Sequence, residues 1–465
     1  MLKIFFLVFM AGGIPVAIAM AGASLAYIAL SDSTLPPFVV IHRMVSGIDS
    51  FPLLAVPFFI LAGNLMNNAG ITTRIYNFAL ALVGWMKGGL GHVNVLGSVI
   101  FAGMSGTAIA DAAGLGTIEI KAMKEHGYST EFAVGVTAAS ATLGPIIPPS
   151  LPFVIYGMMA NVSVGALFLA GILPGVMMAI LMMLTVGYYA HRNKWGGDVK
   201  FSSTRFFKAM FELAVVVGWP LLIWLLVAKL GTPAQLTVFA GLACLFVLDR
   251  IFRFEALLPI MTPVLLIGGM TTGLFTPTEG AIAACVWAMI LGFAWYRTLS
   301  WKMFVKVCLD TIETTSTVLF IVAAASIFGW MLTATGVTSD IAAWVLGFTR
   351  QAWVFLLLAN LLMLFVGCFL EPTAAITILV PILLPIATQL GIDPIHFGLV
   401  MVLNLMIGLL HPPMGMVLFV LARVAGLSFE RTTMAILPWL VPLLLALVVI
   451  TYVPSLVLWL PKMFF

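Results

Sequence analysis

The chain has 465 residues, of which 63% are hydrophobic and 8% charged, with a formal net charge of +4 and a mean hydropathy of +1.18. That balance excludes a water-soluble globular fold, because most of such a surface has to face hydrocarbon. The small positive charge sits in the loops between apolar stretches, so it reads as membrane topology and not as nucleic-acid affinity.

The apolar stretches run about 20 residues, the length of a membrane helix, and do not alternate over about ten as in a β-barrel. The expected class is therefore an all-α polytopic membrane protein. Cys244, Cys285, Cys308 and Cys368 show no metal or redox spacing and read as small buried thiols. No cofactor, disulfide or metal other than a coupling ion is expected.

In chain order, Lys3 precedes an apolar run with small residues from Ala21 to Ala26. Signal peptides share this pattern, but the run is longer than a typical h-region and is expected to form one membrane helix. Ser24, Asn64, Asn67 and Asn68 read as packing or capping groups. Ala69-Gly70-Ile71-Thr72 then precedes an amphipathic stretch from Arg74 to Lys87, expected to be a surface helix. Gly103-Met104-Ser105-Gly106-Thr107 interrupts two apolar arms too short for two crossings, which predicts a re-entrant helical hairpin. Gly144-Pro145-Ile146-Ile147-Pro148-Pro149 follows. Proline removes a backbone donor and glycine costs about 1 kcal/mol against alanine, so this is a broken helix.

The second half repeats the order. After Thr276-Pro277-Thr278-Glu279, read as a turn with Glu279 near water, come Thr335-Gly336-Val337-Thr338 and an amphipathic stretch from Asp340 to Arg350. A second interruption runs from Gly367 to Thr373, and a second break spans Gly408-Leu409-Leu410-His411-Pro412-Pro413. The two break glycines lie 408 − 144 = 264 residues apart. Paired breaks in corresponding halves are the best sequence pointer to a secondary transporter's binding site.

Lys and Arg gather on the cytoplasmic side of short loops. The cluster Arg192, Lys194, Lys200, Arg205 and Lys208 places the loop between the halves inside, as do Lys121 and Lys124 after the first hairpin. No Lys or Arg lies between Arg350 and Arg423, so the second hairpin opens outward. Expected from this are an inverted repeat, about 11 full spans, an N-terminus inside and a C-terminus outside; Arg43 and Arg350 fall on the opposite side. Residues 1–88 form scaffold helices and a first arm, and 89–190 the first transport half. Residues 191–350 form the cytoplasmic loop, further scaffold helices and a second arm. Residues 351–465 form the second transport half and the last helix.

A hairpin tip facing a broken helix supplies carbonyls and hydroxyls that suit a small alkali cation. The expected sodium ligands are Ser105, Gly106 and Thr107 opposite Thr142, Gly144 and Pro145 in the first half. In the second they are Glu371, Thr373 and Ala374 opposite Asn404, Gly408 and His411. Half-helix N-termini carry partial positive charge, which suits an anionic substrate between the two sites, near Ser105, Pro149, Ser150, Thr373 and Pro413. Asp111 and Glu371 are intramembrane acids with two open readings, a functional group or a helix cap. For His411 a proton carrier, a ligand and a packed polar group all stand.

These residues carry a resemblance. Phe51-Pro52-Leu53-Leu54-Ala55-Val56-Pro57-Phe58-Phe59-Ile60-Leu61-Ala62-Gly63, Gly88-Gly89-Leu90, Gly144 to Ser150, Leu173-Pro174-Gly175, Gly273 to Glu279 and Gly408 to Pro413 together resemble the large membrane subunit of the tripartite ATP-independent periplasmic (TRAP) transporters. The resemblance covers essentially the whole chain. It implies an ion-transporter-superfamily fold with a scaffold and an elevator-like transport domain, in a multi-pass protein of the bacterial inner membrane. It further implies sodium-driven import of a C4-dicarboxylate, sialic acid or other sugar acid. The implied partners are a periplasmic substrate-binding (P) protein and a small membrane (Q) subunit, here a separate chain because only Lys3 precedes the first span; membrane lipid surrounds them.

Two other readings stand beside this one. One is a superfamily carrier that takes substrate straight from solution without a binding protein. The other is an intramembrane serine protease of rhomboid type, because Gly103-Met104-Ser105-Gly106 spells its G-x-S-G string. The nucleophile would need a histidine base within hydrogen-bond reach, and neither His126 nor His411 is placed for it. An enzyme is therefore not expected.

Overall fold

A computed structural model describes residues 1–31, 35–230, 234–254, 256–271, 274–412 and 415–464. The described chain is helical, with one isolated antiparallel bridge, between Lys87 and Gly197. Six helices are individually long and apolar enough to cross a membrane among the described residues: Phe51–Asn68, Val164–Arg192, Pro277–Trp295, Trp301–Ala334, Pro372–Gln389 and Phe429–Tyr452. Large apolar side chains such as Leu184, Phe207, Val217, Phe365 and Val441 stand more than 60% exposed, a surface that belongs in lipid.

The N-terminal run differs from its expectation. It forms two helices, Leu2–Ala11 and Val16–Leu30, separated at Gly12-Gly13-Ile14-Pro15. Gly13 adopts φ +76° and Pro15 stands at the N-cap of the second helix, so left-handed backbone and a missing donor stop the first one.

The repeat is visible element by element. Gly70 and Gly336, both left-handed, start the arms Ile71–Val83 and Val337–Phe348. The first hairpin comprises Gly89–Ser105, the short helix Ala108–Ala113 and Leu115–Glu125; the second comprises Ala352–Gly367 and Pro372–Gln389. The broken helices are Thr130–Ala141 with Leu151–Ala160, and Pro394–Gly408 with Met416–Ala425. Each begins at a side-chain cap, Ser129 accepting from Phe132 N and Asp393 accepting from Ile395 N. Ser129 and Asp393 are again 264 positions apart.

The halves interlock. Thr130–Ala141 packs on Phe429–Tyr452 of the other half, and Glu131 pairs with Arg431 near their N-terminal ends. Leu151–Ala160 packs on Pro372–Gln389, and the Tyr156 hydroxyl donates to Pro394 O at 2.6 Å. One apolar core thereby joins both hairpins, both broken helices and the long helices after them. Two further cores flank it. One unites the first arm with Leu257–Thr271 and the end of Pro277–Trp295, the other packs the N-terminal helices on Trp301–Ala334.

The loop after Val164–Arg192 latches the first arm to the first hairpin. Gly88 N donates to Gly196 O and Val199 N to Gly84 O. Asp198 Oδ2 accepts from Leu90 N at 2.8 Å and from the Tyr128 hydroxyl at 2.6 Å. Burial and the adjacent Asp198 carboxylate hold the Tyr128 phenol above its usual range, so it stays a donor. Asp198→Ala is expected to cost about 2 kcal/mol, since it strands a backbone N–H and a half-buried hydroxyl; a lower thermal melting temperature of the purified protein in detergent checks this.

Candidate functional site

Proline and glycine open each broken helix, and the hairpin tips cover the openings. At the first, Ser105 ends its helix, Gly106 turns left-handed at φ +63°, and Thr107 caps Ala108–Ala113 by accepting from Ala110 N at 3.3 Å. The tip lies directly on the break. A Cβ placed on Gly106 would stand 2.7 Å from Pro149 O, and one on Gly144 would stand 3.1 Å from Thr107 O. At the second, a Cβ on Gly408 would stand 2.6 Å from the Gly367 backbone. At Gly106 and Gly408 a side chain would strike the opposing backbone, and at Gly144 it would press on Thr107, which explains the glycines.

Between the four elements lies a cleft of about 60 Å³. Gly106 and Thr107 of the first tip line it, with Pro145, Leu151 and Pro152 of the first break and Glu371, Pro372 and Thr373 of the second hairpin. Met406 and Leu409 of the second broken helix complete it with Ala108 and Ile109. Gly106, Thr107, Pro145, Glu371 and Thr373 are thus brought together from both halves.

The other expected residues stand behind this lining. The buried Ser105 hydroxyl has no hydrogen-bond partner among the described residues. Thr142 Oγ1 donates to Ala139 O at 2.6 Å. Ser150 caps Leu151–Ala160, accepting from Phe153 N and donating to Pro145 O at 2.5 Å, so its hydroxyl is committed to the break. Pro149 packs under Gly106, and Ala374 is fully buried. His411 is exposed; its Nδ1 donates to Pro412 O at 2.8 Å beside Cys368 Sγ at 3.4 Å. Pro413 lies outside the described residues, as does Gly273.

The two acids separate. Asp111 accepts from no backbone N–H although it is 1% exposed, and the capping role falls to Thr107, which removes the cap reading for Asp111. Glu371 stands at the N-cap position of Pro372–Gln389, with Oε1 accepting from Thr373 Oγ1 at 2.7 Å and Oε2 buried with no hydrogen-bond partner among the described residues. Thr107 and Glu371 are 264 positions apart, so the repeat places a neutral cap and a carboxylate at equivalent corners of one cleft.

Sequence reasoning passed over Ile109, Pro152 and Met406, whose apolar character carries no signal of a site. It also passed over a matched pair of struts. Ser140 Oγ donates to Asn94 Oδ1 at 2.8 Å and Asn404 Nδ2 to Asn360 Oδ1 at 2.8 Å, each tying a broken helix to its hairpin's first arm. Extending the 264-residue interval to isolated buried polar residues, Ser140 onto Asn404, would have found them. The Ser105 protease reading fails locally: the histidine on its own helix, His92, is 13 residues away, about 20 Å along the axis.

The contact between the second tip and break has a direct chemical test. In a chain with Cys244, Cys285 and Cys308 replaced by serine, His411→Cys is expected to form a disulfide with Cys368 under mild oxidation, read as loss of thiol labelling. Full labelling of both thiols would contradict the packing.

Comparison with known proteins follows the same lines. The profile of the family described as "Tripartite ATP-independent periplasmic transporter, DctM component" matches residues 4–456. The sialic acid TRAP transporter large permease protein SiaM of Vibrio cholerae is 41% identical over 452 residues, covering 97% of this chain and 96% of its own. The C4-dicarboxylate TRAP transporter large permease protein DctM of Pseudomonas aeruginosa is 36% identical over 89% of this chain and 87% of its own. Among solved structures, the Alcanivorax borkumensis YdaH transporter superposes with a TM-score of 0.61 at 15% identity over 97% of each chain, a likeness of fold alone.

Proposed function

Because the chain belongs to the DctM-component family of tripartite ATP-independent periplasmic transporters, we propose that this large permease imports a small carboxylate-bearing anion across the bacterial inner membrane, driven by sodium and supplied by a periplasmic binding protein. As a TRAP permease it is a multi-pass membrane transporter and not an enzyme, and its family is tripartite. The names of the relatives make sialic acid and C4-dicarboxylates the first substrates to try.

One observation carries the proposal: the N-terminal ends of Leu151–Ala160 and Pro372–Gln389, from opposite halves, converge on one cleft that also holds Glu371. Helix N-termini favour an anion. The Glu371 carboxylate opposes it until a cation is bound beside it. Binding of anion and cation is then mutually dependent, which is the physical basis of coupling. Ions at the two tip-and-break contacts would draw on the Ser105 hydroxyl, the Glu371 carboxylate and carbonyls around Gly144 and Gly408, with Thr107, Thr142, Pro145, Thr373, Ala374 and His411 around them. The hairpins and broken helices would move together as an elevator against the scaffold through about 11 spans, with both hairpins re-entrant, and the shared core of the two halves supports such a rigid unit. A separate small subunit would pack beside the scaffold.

Uptake of labelled sialic acid or succinate into proteoliposomes holding the complete complex tests this. Removal of sodium or of the binding protein is expected to reduce uptake to background. Uptake unchanged without sodium would sink the coupling, and uptake unchanged without the binding protein would leave a carrier that takes substrate from solution. Glu371→Gln is expected to raise the half-saturating sodium concentration by roughly tenfold, the loss of a charged ligand's contribution. Gly144→Leu and Gly408→Leu should abolish uptake in protein that still purifies as a single species, and normal uptake by both would refute the site.

A further inference from the structure

Arg43 falls on the side expected to be outer, against the bias that gathers Lys and Arg inside, and the transport described above gives it no task. It stands on helix Val39–Ile48, with its guanidinium carbon 4.7 Å from the centre of the Trp330 ring. The ring attracts the cation without neutralising it. Among the described residues Arg43 makes no ion pair, so its charge and its fork of N–H donors remain open to a carboxylate.

A cavity of about 390 Å³ begins at this contact. Trp330 lines it, and so does Gly47, one helical turn from Arg43 on the same face of Val39–Ile48. Ser326 and Thr333 of Trp301–Ala334 continue that wall, and Met158 and Pro381 stand on the facing one. No charged side chain lines the cavity among the described residues, so the cation at its edge sets the sign of the field there.

The facing wall leads to the cleft. Leu151–Ala160 and Pro372–Gln389 pack on each other, and their N-terminal ends supply Leu151, Pro372 and Thr373 to the cleft. Met158 lies seven residues beyond Leu151 and Pro381 nine beyond Pro372, about 10 and 14 Å along the two axes. Cleft and cavity are therefore successive spaces along one pair of helices, with the cavity toward the expected outer side.

We propose that this cavity is the outer port for the transported anion, and that Arg43 receives the anion's carboxylate at its mouth before the anion passes to the cleft. The inference rests on the reading that the carrier imports a carboxylate-bearing anion, and it adds a recognition residue outside the cleft. The neutral, largely apolar lining offers the anion few partners, so it is received at the mouth and not retained.

The first test needs no substrate. In a chain with the four native cysteines replaced by serine, Thr333→Cys places a thiol at an exposed position of the cavity wall. In right-side-out membrane vesicles this thiol is expected to prefer the anionic reagent methanethiosulfonate ethylsulfonate over its cationic trimethylammonium counterpart, each rate being normalised to that with free mercaptoethanol. Arg43→Gln is expected to lower that preference roughly fivefold, and Arg43→Lys to keep it. An unchanged preference in Arg43→Gln would overturn the proposal, as would a thiol that the reagents do not reach from outside. The second test uses the complete complex with its native cysteines. Arg43→Gln is expected to raise the half-saturating concentration of labelled sialic acid or succinate roughly tenfold and to leave that of sodium unchanged, whereas Arg350→Gln alters neither. Weaker attachment of the binding protein to Arg43→Gln vesicles would assign the arginine to docking and overturn the port. Uptake of neither anion by the unmodified complex would refute the carrier reading itself, whereas normal uptake with an unaffected Arg43→Gln variant would refute the port alone.

Discussion

Each of the two broken helices leaves backbone groups without helical partners, and in a membrane protein an unsatisfied group away from water costs several kcal/mol. The structure meets this by pressing a hairpin tip against each break. Contact is close enough that a side chain at Gly106 or Gly408 would strike the opposing backbone. The remaining architecture holds those tips in place: caps at Ser129 and Asp393 set where the broken helices start, and the Asn94–Ser140 and Asn360–Asn404 struts tie them to the hairpins. Covering the breaks also creates the cleft, because two tips and two breaks brought together enclose a space that none of them encloses alone.

The halves are related by repetition and joined by exchange. Thr130–Ala141 of the first packs on Phe429–Tyr452 of the second, and Leu151–Ala160 packs on Pro372–Gln389. Such crossing makes one core out of two repeats. Repetition does not make the corners chemically equal. Thr107 spends its hydroxyl on a helix cap, whereas Glu371 keeps one buried oxygen with no hydrogen-bond partner among the described residues. Ile147 packs inward against Gly175, whereas its counterpart His411 is exposed. The second corner is the more polar one.

Much of this was legible in the chain because glycine, proline and charge act locally. The breaks after Gly144 and Gly408 and the glycines Gly70 and Gly336 before the arms follow from the conformational limits of single residues, whereas the run Thr276 to Glu279, read as a turn, is a capping box that opens Pro277–Met289. The split of the N-terminal run at Gly12 to Pro15 used the same signals and was passed over, since continuous hydropathy on both sides masked it. Ser150 illustrates a different limit. Beside a proline break it reads as a ligand, yet its hydroxyl is occupied by Pro145 O and Phe153 N.

By itself the sequence determined the membrane class, the order of arm, hairpin and broken helix, and their recurrence at an interval near 264 residues, because each depends on composition or on backbone preferences within a few positions. Only the tertiary structure decided which residues of the two halves meet. Thr107, Pro145, Glu371 and Thr373 share one cleft, while Thr142, Ser150 and His411 do not line it. That choice turns on packing between elements hundreds of residues apart, where a difference of one helical face moves a side chain from the cleft to the core, and no local pattern records it.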